Sequence, residues 1–172
     1  MRPFRGIAPA LILLPLCVAL SACGANGGDS LSSWGNTLPA MEVPTQVEAY
    51  PDNQVLQVAK NQFRAGNYGR AVRYYERAVE VAPESGEAWL GLAASYDRVR
   101  RFDLADRAYR MAGQYLGDRA EYYNNVGYSY MLRGDLAKAR DNFLKALSLD
   151  PSNVTAANNL QMLRSAANRK PG

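Results

Sequence analysis

From Asp52 onwards, apolar residues recur at spacings of three and four, a pattern that predicts amphipathic helices. The helical stretches come in pairs, and the two members of each pair are joined near Gly66-Asn67, Arg100-Arg101 and Gly134-Asp135. These pairs recur with a period of 34 residues. The pattern therefore predicts three helical hairpins of equal length, which span residues 52–85, 86–119 and 120–153.

Matching residues occupy matching places in the three blocks. The eighth place is small, the twentieth is alanine, the twenty-fourth is aromatic and the twenty-seventh is again alanine. The four sets are Ala59, Ala93 and Gly127; Ala71, Ala105 and Ala139; Tyr75, Tyr109 and Phe143; and Ala78, Ala112 and Ala146. This pattern resembles the tetratricopeptide repeat, which also favours Tyr at the eleventh place and Pro at the thirty-second, supplied in the third block by Tyr130 and Pro151.

The resemblance implies an all-α solenoid of three helical hairpins with a C-terminal capping helix. One hairpin cannot bury its apolar face alone, whereas stacked hairpins can. Gly127 costs its helix about 0.5–1 kcal/mol relative to Ala, which indicates close contact between helices there. Gly117 stands where the family usually has Pro, which predicts a less constrained turn. Residues 154–172 should form the capping helix and a tail, with Ala157 and Leu160 facing the core.

Residues 1–22 are typical of a bacterial export signal, because Arg2 and Arg5 precede an uncharged apolar stretch that ends at Ala22. This stretch is short for a membrane-spanning helix. It ends in the sequence LSAC at residues 20–23, which resembles the lipobox of bacterial lipoproteins. The resemblance implies cleavage before Cys23 and attachment of a lipid to that cysteine. The alternative is an ordinary secretory signal, whose removal would leave a soluble periplasmic protein.

The stretch after Cys23, through residue 51, is rich in Gly, Ser, Asn and Pro and predicts a flexible tether. Trp34 is a large apolar residue in this otherwise polar stretch. It is either incidental, a contact with the membrane interface or a docking motif for a partner. In enterobacterial lipoproteins an Asp directly after the lipidated cysteine favours retention at the inner membrane, and Gly24 stands there instead. The resemblance therefore implies a lipid anchor on the periplasmic side of the outer membrane.

The composition excludes several classes of function. The chain has no His, and its two cysteines, Cys17 and Cys23, lie within the first 23 residues. A Ser-His-Asp triad and a Cys/His zinc site therefore lack their residues, and no Gly-rich phosphate loop is present. Removing Arg2 and Arg5 from 20 basic residues leaves 18 against 16 acidic ones, too small an excess to indicate nucleic acid. We expect no enzyme activity, cofactor, metal or small-molecule substrate, although a site built from carboxylates alone stays open.

In tetratricopeptide repeats the first helices of the hairpins line a concave face, which often holds an extended peptide or a helix. The resemblance therefore implies a protein partner at this face. Asparagine amides suit a peptide backbone because they both donate and accept hydrogen bonds, and Tyr and Met offer apolar anchors. Lys60, Arg64 and Arg98 loosely resemble the basic clamp by which some members of the family hold a terminal carboxylate. The candidate groove residues are Lys60, Phe63, Arg64, Leu90, Asp97, Arg98, Glu121, Asn124, Asn125, Tyr128, Met131, Asn158 and Asn159.

The cellular role follows only by analogy, because a fold does not define a function. Three short repeats behind a long tether, with the run YYNNVGYSYMLRGDLAKA from residue 122, resemble the lipoproteins of tight-adherence (Tad/Flp) pilus assembly. This resemblance implies a scaffold for a pilus or secretion machine. The alternative is an envelope-maintenance adaptor that engages peptidoglycan enzymes or the machinery that inserts outer-membrane proteins.

Overall fold

The computed structural model describes residues 41–167, which form seven α-helices and no β-strand within that range. The predicted export signal and Cys23 lie outside the described residues. The helices are α1 (Asp52–Arg64), α2 (Tyr68–Val81), α3 (Gly86–Arg98), α4 (Phe102–Leu116), α5 (Ala120–Leu132), α6 (Leu136–Leu149) and α7 (Val154–Ala167). The all-α solenoid of three hairpins with a capping helix is confirmed.

The turn inside each hairpin uses one left-handed residue at the same place of the repeat. Gly66, Arg100 and Gly134 have φ angles of 77°, 63° and 82°. Glycine adopts this region without a steric cost, whereas Arg100 bears that cost because it has a Cβ atom. Each turn reverses the chain within a few residues and lets the second helix pack back on the first.

Small residues set the distance between the two helices of a hairpin. The alanines at the twentieth place, Ala71, Ala105 and Ala139, are fully buried. A Cβ atom at Gly127 would lie 2.7 Å from the Cε1 atom of Phe143, which is itself fully buried. Glycine in the middle of α5 is therefore needed for close packing of α5 on α6.

The solenoid curves because its two kinds of helix make different contacts. Each first helix touches the first helix of the next unit, so that α1 contacts α3, α3 contacts α5 and α5 contacts α7. Within residues 41–167, the second helices α2, α4 and α6 do not touch one another. Close contact on one side and separation on the other make the first helices the concave face.

Residues 41–51 are not part of a flexible tether, so the predicted tether is wrong for this segment. Its apolar residues Val43, Val47 and Tyr50 pack on the first hairpin. Arg73 on α2 donates a hydrogen bond of 2.7 Å from Nε to the backbone carbonyl of Pro44. The segment forms neither helix nor strand and covers the hairpin as a strap, which fits its lack of helical periodicity.

One further prediction is corrected at the C-terminal half. Ala156, and not Ala157, is fully buried in α7, where it joins Leu160 and Leu163 in facing the core. The turn at Gly117 has a φ of 61° and a ψ of −148°, a region that glycine populates almost alone. Among the described residues, no helix is long and apolar enough to cross a membrane.

Candidate protein-binding groove

A cavity of about 370 Å³ opens on the concave face, between the first helices of the three hairpins. Its floor is apolar and comes from Leu90, Gly91 and Ala94 on α3, with Phe63 on α1. The Tyr75 ring of α2 also lines it, and a Cβ atom at Gly91 would lie only 2.2 Å from that ring. The missing side chain at Gly91 therefore makes room for Tyr75 in the wall of the groove.

Four charged residues line the groove. Lys60 on α1 forms an ion pair with Glu87 on α3, and this pair joins the first repeat to the second. Glu121 at the start of α5 and Arg119 just before it line the far end of the cavity. Neither of these two makes a salt bridge with any described residue. The groove thus has one neutralised end and one end with unmatched charges.

The three cations of the predicted carboxylate clamp do not converge on one point. Lys60 is held by Glu87, and Arg64 donates a hydrogen bond of 3.1 Å to the Oδ1 atom of Asn61. The guanidinium of Arg98 stacks on the Tyr68 ring, 4.1 Å from its centroid. That ring also packs edge-on against the predicted groove residue Phe63. Because each cation has its own local partner, the structure does not assemble a clamp for a terminal carboxylate.

The predicted asparagines are bound to their neighbours on the C-terminal part of the concave face. The Nδ2 atom of Asn159 donates to Oδ1 of Asn124 at 2.9 Å, which ties α7 to α5. Asn125 lines the cavity and donates from Nδ2 to the backbone carbonyl of Glu121 at 2.9 Å. Asn159 was predicted on the open face, yet it is only 8% exposed, because it faces α5. Asn158 is exposed.

Tyr128 and Met131 lie away from the main cavity. Both are partly buried and pack against a second apolar cluster, which is centred on Phe143 and Leu160. The structure therefore separates ten of the thirteen predicted groove residues into two groups, and Arg64, Asp97 and Arg98 belong to neither. The cavity unites Lys60, Phe63, Leu90, Glu121 and Asn125, while Asn124, Tyr128, Met131, Asn158 and Asn159 belong to the α5 and α7 end.

Asp97 was predicted to point into the groove, and this prediction is wrong. Its side chain is buried at the junction of the second and third hairpins. Oδ2 accepts from the Tyr109 hydroxyl at 2.8 Å, and Oδ1 accepts from the Ser129 hydroxyl at 2.7 Å. Burial raises the pKa of Asp97 to about 6, and the two hydrogen bonds and the nearby Arg133 guanidinium oppose that rise. Asp97 therefore joins two repeats and is not exposed to a partner.

Arg133 completes this polar junction from the end of α5. Both of its terminal nitrogens donate to the Asp106 carboxylate, at 2.9 and 2.5 Å, and Nη2 also donates to Ser129 at 2.7 Å. The buried apolar residues fall into one cluster over the first two hairpins and another around α6 and α7. The polar network bridges the hairpins at the boundary between those clusters.

Six residues of the cavity are not among the candidate groove residues. They are Tyr75, Glu87, Gly91, Ala94, Leu116 and Arg119. Among these residues, Gly91 could have been predicted from the sequence. A glycine in the middle of a helix lowers helix stability and so indicates close packing, as it does at Gly127. Tyr75 packs against Gly91 of the next hairpin and at the same time forms part of the groove wall.

The repeats match a known protein family. The tetratricopeptide repeat family matches residues 51–95 and residues 120–153, and the second match spans the same residues as the third block. The chain therefore contains tetratricopeptide repeats, and its fold is their solenoid.

Similar proteins are known in both eukaryotes and bacteria. RNA polymerase II-associated protein 3 of Xenopus laevis is 26% identical over 103 residues, which is 60% of this chain and 16% of that protein. This chain thus spans only about a sixth of the length of such curated relatives. The second repeat domain of human RPAP3, solved with the HSP70 peptide SGPTIEEVD, has a TM-score of 0.57 and 20% identity, covering 66% of this chain and 94% of that one.

A bacterial structure is equally similar in fold. The Yersinia enterocolitica type III secretion chaperone SycD, solved with a peptide of the translocator YopD, has a TM-score of 0.57 and 18% identity. The match covers 70% of this chain and 99% of that one. At these identities the likeness shows the fold. The repeats and the concave groove make this chain a protein–protein interaction scaffold of the tetratricopeptide-repeat class.

Proposed function

We propose that this chain is a lipid-anchored scaffold of the outer membrane, which holds a segment of a partner protein in its concave groove while a pilus or secretion machine assembles. The observation that carries the binding role is the groove itself. It has an apolar floor, a charged rim and a volume of about 370 Å³, enough for one or two side chains of a bound segment.

Two proteins of similar fold were solved with a bound peptide, which supports a peptide ligand in the groove of this chain. The human repeat domain was solved with an HSP70 peptide and the Yersinia chaperone with a peptide of the translocator YopD. The membrane anchor is supported by the lipobox-like sequence at residues 20–23 and by the absence of Asp after Cys23. The pilus role is supported by the resemblance of the third repeat to tight-adherence lipoproteins.

Gene deletion with complementation in the native bacterium tests the role. We expect deletion to abolish surface pili or secretin multimers and the unchanged gene to restore them. A folded Ala94→Trp variant should fail to restore them, because the indole fills the cavity. Arg107→Ala, on the exposed side of α4, is the matched control and should restore them fully. Normal pili after deletion, with general envelope defects, would favour the envelope-maintenance adaptor instead.

Membrane fractionation tests the anchor separately. Cys23→Ser should move the protein from the membrane to the soluble periplasmic fraction, since two or three acyl chains hold a protein firmly to a bilayer. If the variant still sediments with the outer membrane, the lipid anchor is wrong, while the groove proposal is unaffected.

A further inference from the structure

The repeat symmetry of the groove leaves one acidic side chain without the partner that its equivalent has. Glu87 and Glu121 occupy the second place of successive repeats and both line the cavity. Glu87 is paired with Lys60, which stands at the ninth place of the preceding repeat. The ninth place before Glu121 is Ala94, which has no charge to offer.

The surroundings of Glu121 keep this site open to a ligand. Glu121 is exposed and makes no salt bridge with any residue between positions 41 and 165. Arg119 lines the same cavity from the extended residue before α5, and it forms no salt bridge with Glu121. Beside Glu121 lies the apolar floor of Ala94, Gly91 and Leu90.

We infer that the groove selects a protein segment in which a basic side chain neighbours an apolar one, with the basic group on Glu121 and the apolar group on the floor at Ala94. This inference rests on the proposed peptide-binding role of the groove. A Lys or Arg from the partner would occupy the position that Lys60 fills one repeat earlier. A segment with an acidic terminus, such as the EEVD end of the peptide bound by the human domain, would meet an unmatched carboxylate.

A peptide series tests the inference with the full chain carrying Cys23→Ser. Three labelled, amidated decapeptides keep one Leu constant and place Lys, Gln or Glu beside it, and fluorescence anisotropy gives their affinities. We expect the Lys peptide to bind about two- to five-fold more tightly than the Gln peptide, the range for an exposed ion pair, and the Glu peptide to bind most weakly. The preference should shrink in 1 M salt, where charges are screened.

Single-residue variants test whether Glu121 causes the preference for the Lys peptide. Glu121→Gln should remove the preference for Lys. Ala94→Lys should remove it too, because the new ammonium would form an ion pair with the Glu121 carboxylate, as Lys60 does with Glu87. Asp141→Asn, which makes the same change of net charge on the exposed surface of α6, is the control and should retain the preference. Retention of the Lys preference in Glu121→Gln would overturn the inference.

The outcomes separate the two proposals. If all three peptides bind equally well, the groove binds peptides and only the charge selectivity is wrong. If the Glu peptide binds best, the groove prefers acidic segments and the inference is also wrong. If no peptide of the series binds at all, both the inference and the proposed role of the groove are contradicted.

Discussion

Asp97→Asn should change how the stability of this protein depends on pH. Burial raises the pKa of Asp97 from 3.8 to about 6, although Tyr109 and Ser129 both donate hydrogen bonds to the carboxylate. The folded protein therefore keeps a proton on Asp97 over a range in which the unfolded chain has already released it. A shift of about two pKa units corresponds to roughly 3 kcal/mol of stability.

The sign of the effect follows from the raised pKa. The contribution of protonated Asp97 is fully present below pH 3.8 and is lost as the pH rises to about 6. Between pH 3.5 and 7, the unchanged protein should therefore lose about 3 kcal/mol of unfolding free energy relative to Asp97→Asn, which cannot ionise. Comparing the two proteins cancels the carboxylates that they share.

Urea denaturation followed by circular dichroism measures this difference across the pH range. Asp103→Asn, on the exposed side of α4, controls for the loss of one negative charge and should give a difference that stays small. A difference between the unchanged protein and Asp97→Asn that is flat with pH would refute the reasoning. The opposite slope would also refute it, since it would mean that Arg133 and the two hydroxyls stabilise the ionised carboxylate more than burial destabilises it.

Three further predictions concern packing and turns. Arg100→Gly should raise the unfolding free energy by about 0.5–1 kcal/mol, because the φ of 63° is strained for a residue with a Cβ; a lower melting temperature would contradict this. Gly127→Ala should lower stability by about 1–3 kcal/mol in urea denaturation, despite the better helix propensity of Ala, because the methyl group meets Phe143 at 2.7 Å; unchanged stability would show that Phe143 can move aside. Arg73→Ala should speed amide hydrogen exchange in residues 41–51 far more than in the repeats, because its hydrogen bond to Pro44 holds the strap; uniform acceleration, or none, would count against this role.

The solenoid could be predicted because its pattern is local and repeated. A period of 34 residues with alanines at fixed places determines which faces of which helices must touch, and Ala71, Ala105 and Ala139 are indeed fully buried. Each hairpin needs only its own sequence and that of its neighbour. The turn residues Gly66 and Gly134 were also readable, because left-handed geometry favours glycine.

The groove was less predictable because single residues depart from the average repeat. Asp97 is buried through hydroxyl groups that lie 12 and 32 residues away along the chain, and no local pattern reveals such a pairing. Tyr75 and Gly91 form one wall across two helices, which spacing within either helix does not show. The strap at residues 41–51 was missed because a segment without regular secondary structure has no apolar periodicity to read, even where it packs on a helix.

Site-specific photo-crosslinking in living cells tests most directly whether the concave face is the binding surface. A photoreactive amino acid is placed at Ala94, on the floor of the groove, or at Arg107, on the exposed side of α4, in otherwise unchanged protein. We predict that the position at Ala94 gives a defined adduct with one partner protein and that Arg107 gives none. Adducts from Arg107 with none from Ala94 would contradict the account, because the partner would then bind outside the groove.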